Sequence, residues 1–335
     1  MYADLNLPAV YTHNEPLRKE KKNKANKTSA ANTPSTPTAP TAPTAPTIDT
    51  TQLKSLESRT RTLIHLGYSV AGYDHYVKNF THSNHTNPFT NSQPLFPGLD
   101  TRSSHNPRTL IQLSRLTVEL DEAGDATKQL GQGAVGVLNA YDLLAVKPTG
   151  PITFNHACLN MCTPSPFAVH IIQLDLAAHS RLPFFLKRST LGKAIADGAF
   201  FEVCYGGALD GGDDYARRNL IANVKELLRV TSGKGIIFSS CVYNALHLRS
   251  PGDIINLATV FGMNQSVAKK ALTDNPKTVI NNSNSRRLFK GILSDPIIHH
   301  PSNSAKRASD STDIIGNSNN TPNTSKNPPK KKKQV

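Results

Sequence analysis

The chain has 335 residues, with 38 Lys and Arg against 24 Asp and Glu and a net charge of +14, a size that admits one large domain or two small ones. It contains no apolar run of the ~18 residues a membrane span needs, and its N-terminus has no long apolar stretch, which predicts a soluble, intracellular protein with no membrane partner. The charge is unevenly spread: residues 286–335 hold ten basic and three acidic side chains, whereas 51–285 hold 22 and 17. The part able to fold is thus only mildly basic, a balance that suits docking on a polyanion through a few Lys and Arg.

In chain order, the first apolar run is YADLNL (2–7). Strand alternation would place Asp4 and Asn6 on one face, as half of a metal site, the remains of one, or a polar strand end. Residues 14–50 follow with a Lys-rich stretch and a Thr-Ala-Pro repeat, which predicts a disordered or semi-stiff insertion. A strand at YSVAGY (68–73) precedes a long polar stretch, 78–107, rich in Asn, His, Ser and Pro and expected to be a loop. A third strand is expected at TLIQLSRLTV (109–118) and a fourth at LLAVKP (143–148), which carries Lys147 near its end. Between them, Gly131, Gly133 and Gly136 match the spacing of a dinucleotide-binding loop. The residues before them (DATKQL) look helical and the next acid, Asp142, comes too early, so no cofactor is expected.

His156, Cys158 and Cys162 form an incomplete zinc set and are expected to be buried structural residues, no cysteine pair having CxxC spacing. Strands follow at AVHIIQLDL (168–176), FFEVCY (200–205) and GIIFSSCV (235–242). Between the last two, a helix is predicted from about Asp213 to Val230. Leu220, Ile221, Val224, Leu227 and Leu228 form its apolar face, Asp213 or Asp214 its cap, and Gly233 lies past its end. In the turn Ser250-Pro251-Gly252-Asp253, Asp253 is expected to cap the next helix. Residues 291–335 form a basic tail expected to be disordered. Its Lys330–Lys333 run reads as a nuclear-import cluster, a non-specific phosphate-binding end, or a merely solvated one.

Seven apolar strands alternating with helices predict an α/β fold with a parallel sheet, closed as a barrel of about seven strands inside outer helices. Function in such barrels gathers at the C-terminal ends of the strands. A metal-dependent phosphoesterase would need several ligands there; Asp4, Asn6, Asp74, His75 and His156 are a ligand-poor set. Ser239 and Ser240 have no nucleophile motif around them and are expected to bond to backbone. The basic residues offer more: Lys147, Lys187, Arg188, Arg217, Arg218 and Arg249, with Arg286 and Arg287, have the forked and point charges that a phosphate backbone takes. Each also reads as part of a solvated surface.

LPFFLKR (182–188), AIADGAFFEVCY (194–205), ARRNLIANVKELLRVTSGKGIIFSS (216–240) and LRSPGDIINLATVFGMNQSVAKKAL (248–272) resemble, in order, the barrel-type protein subunit shared by nuclear ribonuclease P and ribonuclease MRP. LSRLTVEL (113–120) and the opening YADLNLP continue the likeness, which covers 1–13 and 51–290. The resemblance implies one TIM-barrel-like domain related to the polymerase-and-histidinol-phosphatase (PHP) metal phosphoesterases, interrupted by the 14–50 insertion. It implies a non-catalytic subunit of the nucleus and nucleolus that acts in tRNA 5′ leader removal and pre-rRNA processing. It would bind ribonuclease P or MRP RNA, precursor tRNA indirectly, and a small RRM-like protein subunit. A phosphoesterase of the PHP superfamily with an atypical ligand set is the alternative. In those phosphoesterases the first strand ends in His-x-His; Asp4 and Asn6 at the matching positions imply a degenerate metal site, tied instead to strand-end backbone.

Overall fold

The computed structural model describes residues 1–13, 48–89, 94–100, 110–121, 130–209 and 214–288. The tail from 291, nearly all of the 14–50 insertion and Asp213 lie outside these residues. The seven expected strands all form: β1 (Ala3–His13), β2 (Val70–Lys78), β3 (Ile111–Leu120), β4 (Leu143–Pro148), β5 (Ile171–Leu174), β6 (Phe200–Cys204) and β7 (Ile236–Ser239). They pair in sequence order and every pair is parallel. Helices cover the outside, namely α1 (Thr50–Leu66), α2 (Pro151–His156), α3 (Arg188–Ala196), α4 (Asp214–Thr231), α5 (Pro251–Val260) and α6 (Gln265–Leu272), while α7 (Asp274–Arg287) lies at the N-terminal strand ends, where Asn275 donates to the Ile236 carbonyl at 2.7 Å.

Two apolar layers follow from strand alternation. Ala3, Leu5, Val70, Leu143, Ala145, Ile171 and Ile237 form an inner cluster with Val279 of α7. A larger cluster joins the outward strand faces to the helices and includes Leu7, Leu116, Val203, Leu227 and Phe238. Of the stretch 78–107, residues 90–93 and 101–107 lie outside the described residues; in the rest, Phe80, Phe89 and Phe96 are buried in that outer core. Asn87 fixes the stretch further by donating to the Ala140 carbonyl at 2.9 Å.

The helix signals are realised with two adjustments. α4 buries Leu220, Val224, Leu227 and Leu228, but Ile221 on the expected apolar face is 37% exposed. At α5 the cap is Ser250, which accepts from the Asp253 amide at 3.3 Å. Asp253 reaches back to the Ser250 amide and hydroxyl, completing a reciprocal capping box. The GxGxxG segment forms one 3₁₀ turn and one short helical turn, Gln132–Ala134 and Val135–Leu138.

β7 and β1 meet without a regular ladder. The Cys241 amide donates to the Asn6 carbonyl at 2.9 Å, and the Ser240 amide donates to Asp4 Oδ1 at 3.1 Å. From α1, buried Arg59 donates to the carbonyls of Pro8 and Val242, both at 2.9 Å, and so spans the same seam. β1 is irregular here: its register against β2 slips between Asp4 and Leu7, and Leu5 and Leu7 fall in different layers. The expected sharing of one face by Asp4 and Asn6 is corrected by this bulge, which adds a residue to one strand.

Gly72 of β2 faces the bulge, and a Cβ there would lie 2.6 Å from the Leu5 carbonyl oxygen and 2.9 Å from its carbon. Backbone on both sides cannot yield as a flexible side chain would. Gly72→Ala is therefore expected to lower stability by roughly 2 kcal/mol or more, read as the shift in a denaturant unfolding midpoint; an unchanged midpoint would contradict this packing.

Candidate functional site

The centre of the barrel is polar and charged. Register sets Asp74 opposite Arg115 across β2 and β3, and Gln173 opposite Glu202 across β5 and β6. Arg115 is fully buried, and its guanidinium meets Glu202 in a two-pronged pair with both N–O distances 2.6 Å. Nε donates to Thr117 at 2.9 Å, and the remaining Nη hydrogens go to the Leu5 carbonyl at 3.0 Å and Gln173 at 3.4 Å. All five guanidinium hydrogens thereby find acceptors. Glu202 also accepts from Ser239 Oγ at 2.6 Å and from Asn6 Nδ2 at 3.2 Å.

Burial works against both charges, and the pair overrides it. Burial raises the Glu202 carboxyl, but the Arg115 charge and hydrogen bonds, with those of Ser239 and Asn6, hold it below its ordinary value. Burial pulls the Arg115 guanidinium down, while Glu202 and Asp74 hold it well above its usual range. The other two carboxyls are less well supplied. Burial raises Asp74 to about 6 against the opposing charge of Arg115. Asp4 is likewise raised to about 6 by burial, with Ser240 and Asn6 bonded to one oxygen and Oδ2 unpartnered.

A fixed guanidinium lies between Asp74 and Glu202, neutralising Glu202 and repelling a cation placed beside it. His75 does not join Asp74: adjacent strand residues face opposite ways, and His75 Nδ1 lies 2.8 Å from the Tyr141 hydroxyl, with its ring stacked on His85. Burial lowers His75 to about 3 and His85 to about 4. Cys158 is buried in a π-helical turn after α2 (Ala157–Met161) and Cys162 just past it, and burial pushes both thiols up. Among the described residues, no three His, Cys, Asp or Glu side chains converge as a metal set. Asp4 does bond strand-end backbone as expected, whereas the Asn6 side chain goes to Glu202 and Cys204. Ser240 Oγ donates to the Asn6 carbonyl, but Ser239 bonds a carboxylate rather than backbone.

The eight candidate cations are not equivalent. Lys147 stands at the C-terminal mouth of the barrel, 2.9 Å from Asp175 and 5.7 Å above the Tyr76 ring, which stacks on Tyr11. This mouth is a cavity of about 560 Å³ that also holds Arg59 and Glu119. Lys187 and Arg188 are exposed at the start of α3, beside Phe185, which is 86% exposed. Arg218 is exposed and lies over the Tyr215 ring. Arg217 and Arg249 border an apolar groove between α4 and α5. Arg287 pairs with Asp142 at 2.6 Å. Arg286 is a correction of placement: it is buried, and its guanidinium donates to Leu138, Asn139 and Tyr141, fastening α7 to the turn before β4. Burial lowers it to about 10.

Sequence reasoning missed Arg115, Glu202 and Arg59. The available signal was a single charged residue in the middle of an apolar strand, in LSRLTV and FFEVCY, where inward alternation meets no solvent.

With this geometry in place, comparison with known proteins is informative. The family model for RNase P subunit p30 matches residues 1–288. The mouse ribonuclease P protein subunit p30 is 28% identical over 244 residues, covering 73% of this chain and 86% of that protein. The ribonuclease P/MRP protein subunit RPP1 of Saccharomyces cerevisiae is 29% identical over 219 residues, covering 64% of this chain and 69% of its own length. Among solved structures, a chain of an archaeal ribonuclease P with mature tRNA aligns with 76% of this chain and 96% of its own, at 13% identity and a TM-score of 0.48.

Two outcomes test the centre. Glu202→Ala, which strands a buried guanidinium, is expected to destabilise by roughly 3–5 kcal/mol, and an Arg115→Met/Glu202→Leu double variant by clearly less; a double variant as unstable as the single would refute the pairing. Burial raises Asp4 to about 6 in the fold, above the ordinary Asp carboxyl, so its contribution is complete below the unfolded value and lost as pH rises through the folded one. Ionised Asp4 then costs about 3 kcal/mol at pH 8. The stability of Asp4→Asn relative to the parent should climb between pH 4 and pH 7 and level off above, followed by denaturant titration; a flat difference would remove the assignment.

Proposed function

The chain belongs to the RNase P subunit p30 family, and from that premise we propose that it is a non-catalytic protein subunit of the ribonuclease P and ribonuclease MRP ribonucleoproteins. The RNA carries out the cleavage of tRNA 5′ leaders and the processing of pre-rRNA, while this barrel holds the RNA and partner subunits, among them a small RRM-like one. The complexes act in the nucleus and nucleolus. The observation that carries this reading is the match of residues 1–288 to the family model for RNase P subunit p30, and the Arg115–Glu202 pair buried in the barrel accords with a supporting rather than a reacting role.

RNA contact on this reading runs through Lys187, Arg188 and Arg218, the candidate cations that are exposed, away from the apolar groove and, among the described residues, not paired with a carboxylate. Lys187 is the N-cap of α3, so both cations stand at the N-terminal end of that helix. Lys147 and Arg287 are paired with carboxylates and contribute where a phosphate displaces that partner. Arg286 is spent inside the fold and is left out.

Crosslinking the tagged chain to RNA in cells and sequencing the attached RNA is expected to recover ribonuclease P or MRP RNA, and recovery of neither would overturn the function. With that RNA in vitro, Lys187→Ala/Arg188→Ala is expected to weaken binding about tenfold and to make the slope of log K against log salt shallower by roughly 1 to 2. Unchanged affinity and slope would remove these residues from the interface.

A further inference from the structure

The groove between α4 and α5 has a different character from the rest of the basic surface. Its volume is about 320 Å³, and its walls are formed by Ile221 on one side and Ile254 and Leu257 on the other, with Phe261. Ile221 stands on the buried face of an amphipathic helix yet is 37% exposed, so that stripe is not fully covered by this chain. Leu246 is 79% exposed, and its carbonyl accepts from the Arg249 guanidinium at 3.0 Å.

Charge brackets these apolar walls. Arg217 borders the groove with its side chain half exposed, bonded to the Ala208 carbonyl at 3.3 Å and paired with Asp214 only at 3.4 Å. Arg249 also borders it, and no carboxylate pairs with that residue among the described residues. The remaining acid of the lining, Asp253, is committed to the Ser250 cap. Exposed apolar walls between two underused guanidiniums complement an apolar strip edged by carboxylates. They do not complement RNA: phosphates gain nothing from aliphatic walls, and Tyr205 and Phe261 are buried and present no face for base stacking.

We propose that this groove is the docking site for an amphipathic helix of a partner protein in the same ribonucleoprotein, with apolar side chains entering between α4 and α5 and carboxylates meeting Arg217 and Arg249. This inference rests on the function proposed above and changes the sequence-based role of these two arginines from RNA contact to protein contact. The mode is that of a helix laid in a groove, with arginines among the side chains that hold it.

The test uses the assembled complex, purified from cells through a tag on the full chain, with a photo-crosslinking amino acid at position 221. The expected product joins position 221 to a peptide of a protein subunit of that complex, amphipathic and flanked by Asp or Glu. Arg217→Glu/Arg249→Glu is expected to lower recovery of that subunit at least about tenfold, while the chain keeps its unfolding midpoint. Replacing the crosslinked peptide's carboxylates with Lys should restore it. A crosslink to RNA, to a second copy of this chain or to nothing overturns the proposal, as does unchanged recovery in the double variant. If that variant misfolds, Arg217→Ala/Arg249→Ala is read the same way. When the parent chain carries ribonuclease P or MRP RNA and the groove variant keeps its subunit, the groove assignment alone fails; when the parent chain carries neither RNA, the function itself fails.

Discussion

A guanidinium with no solvent contact stays in a fold only where a carboxylate and an acceptor for every hydrogen are already in place, and Arg115 imposes that demand on five of the seven strands. Glu202 of β6 supplies the carboxylate, Leu5 of β1 a carbonyl, Gln173 of β5 an amide oxygen and Thr117 of β3 a hydroxyl, with Asp74 of β2 at 3.3 Å. For those five strands, register and charge satisfaction are therefore one condition. A strand displaced by even one residue would turn its inward partner outward and leave an ion in an apolar interior. Such a pair is weak evidence of net stability, because two desolvated charges largely cancel their attraction. Its effect here is on specificity of register, which the apolar layer beneath it would tolerate losing more readily.

The seam between β7 and β1 shows what that centre does not hold by itself. Regular pairing ends there, and closure falls to three groups of different chemistry: a backbone bond from Cys241, the Asp4 carboxylate on the Ser240 amide, and Arg59 across two carbonyls. Asp4 is the weakest of these in energetic terms, since one oxygen is bonded twice and the other not at all. The bulge that accommodates Asn6 in turn requires a residue without a side chain at Gly72. A two-residue motif that reads in the sequence as half of a metal site thus works as part of the closure of the barrel.

How much of this was legible in the sequence follows from which forces act locally. The seven strands, their order and α4 were readable, because apolar runs and helical spacing report burial within a few residues. The barrel centre was not, because it depends on charges brought together over 87 positions, as between Arg115 and Glu202. The basic pairs were misleading for a geometric reason. Adjacent residues on a helix point about 100° apart, so Arg286 turns into the core while Arg287 meets Asp142 at the surface. By the same rotation Arg217 borders the groove and Arg218 lies over Tyr215. Sequence shows each as a doublet of equal cations; the fold gives the two members different surroundings.

Burial then sorts the charged residues into two populations with opposite rules. Inside, all the donors of Arg115 are taken up by protein acceptors, while Arg59 bonds the carbonyls across the β7–β1 seam and the Nη groups of Arg286 bond the turn before β4, leaving its Nε buried without a partner. Outside, Lys187, Arg188 and Arg218 are solvated and lose little when a phosphate replaces water. Interior charge is thus fixed by the barrel, while exterior charge can be exchanged between partners. A barrel whose central carboxylate is committed to its own arginine is free to serve as a rigid support, and contacts can be added around its rim and helices without disturbing what holds it closed.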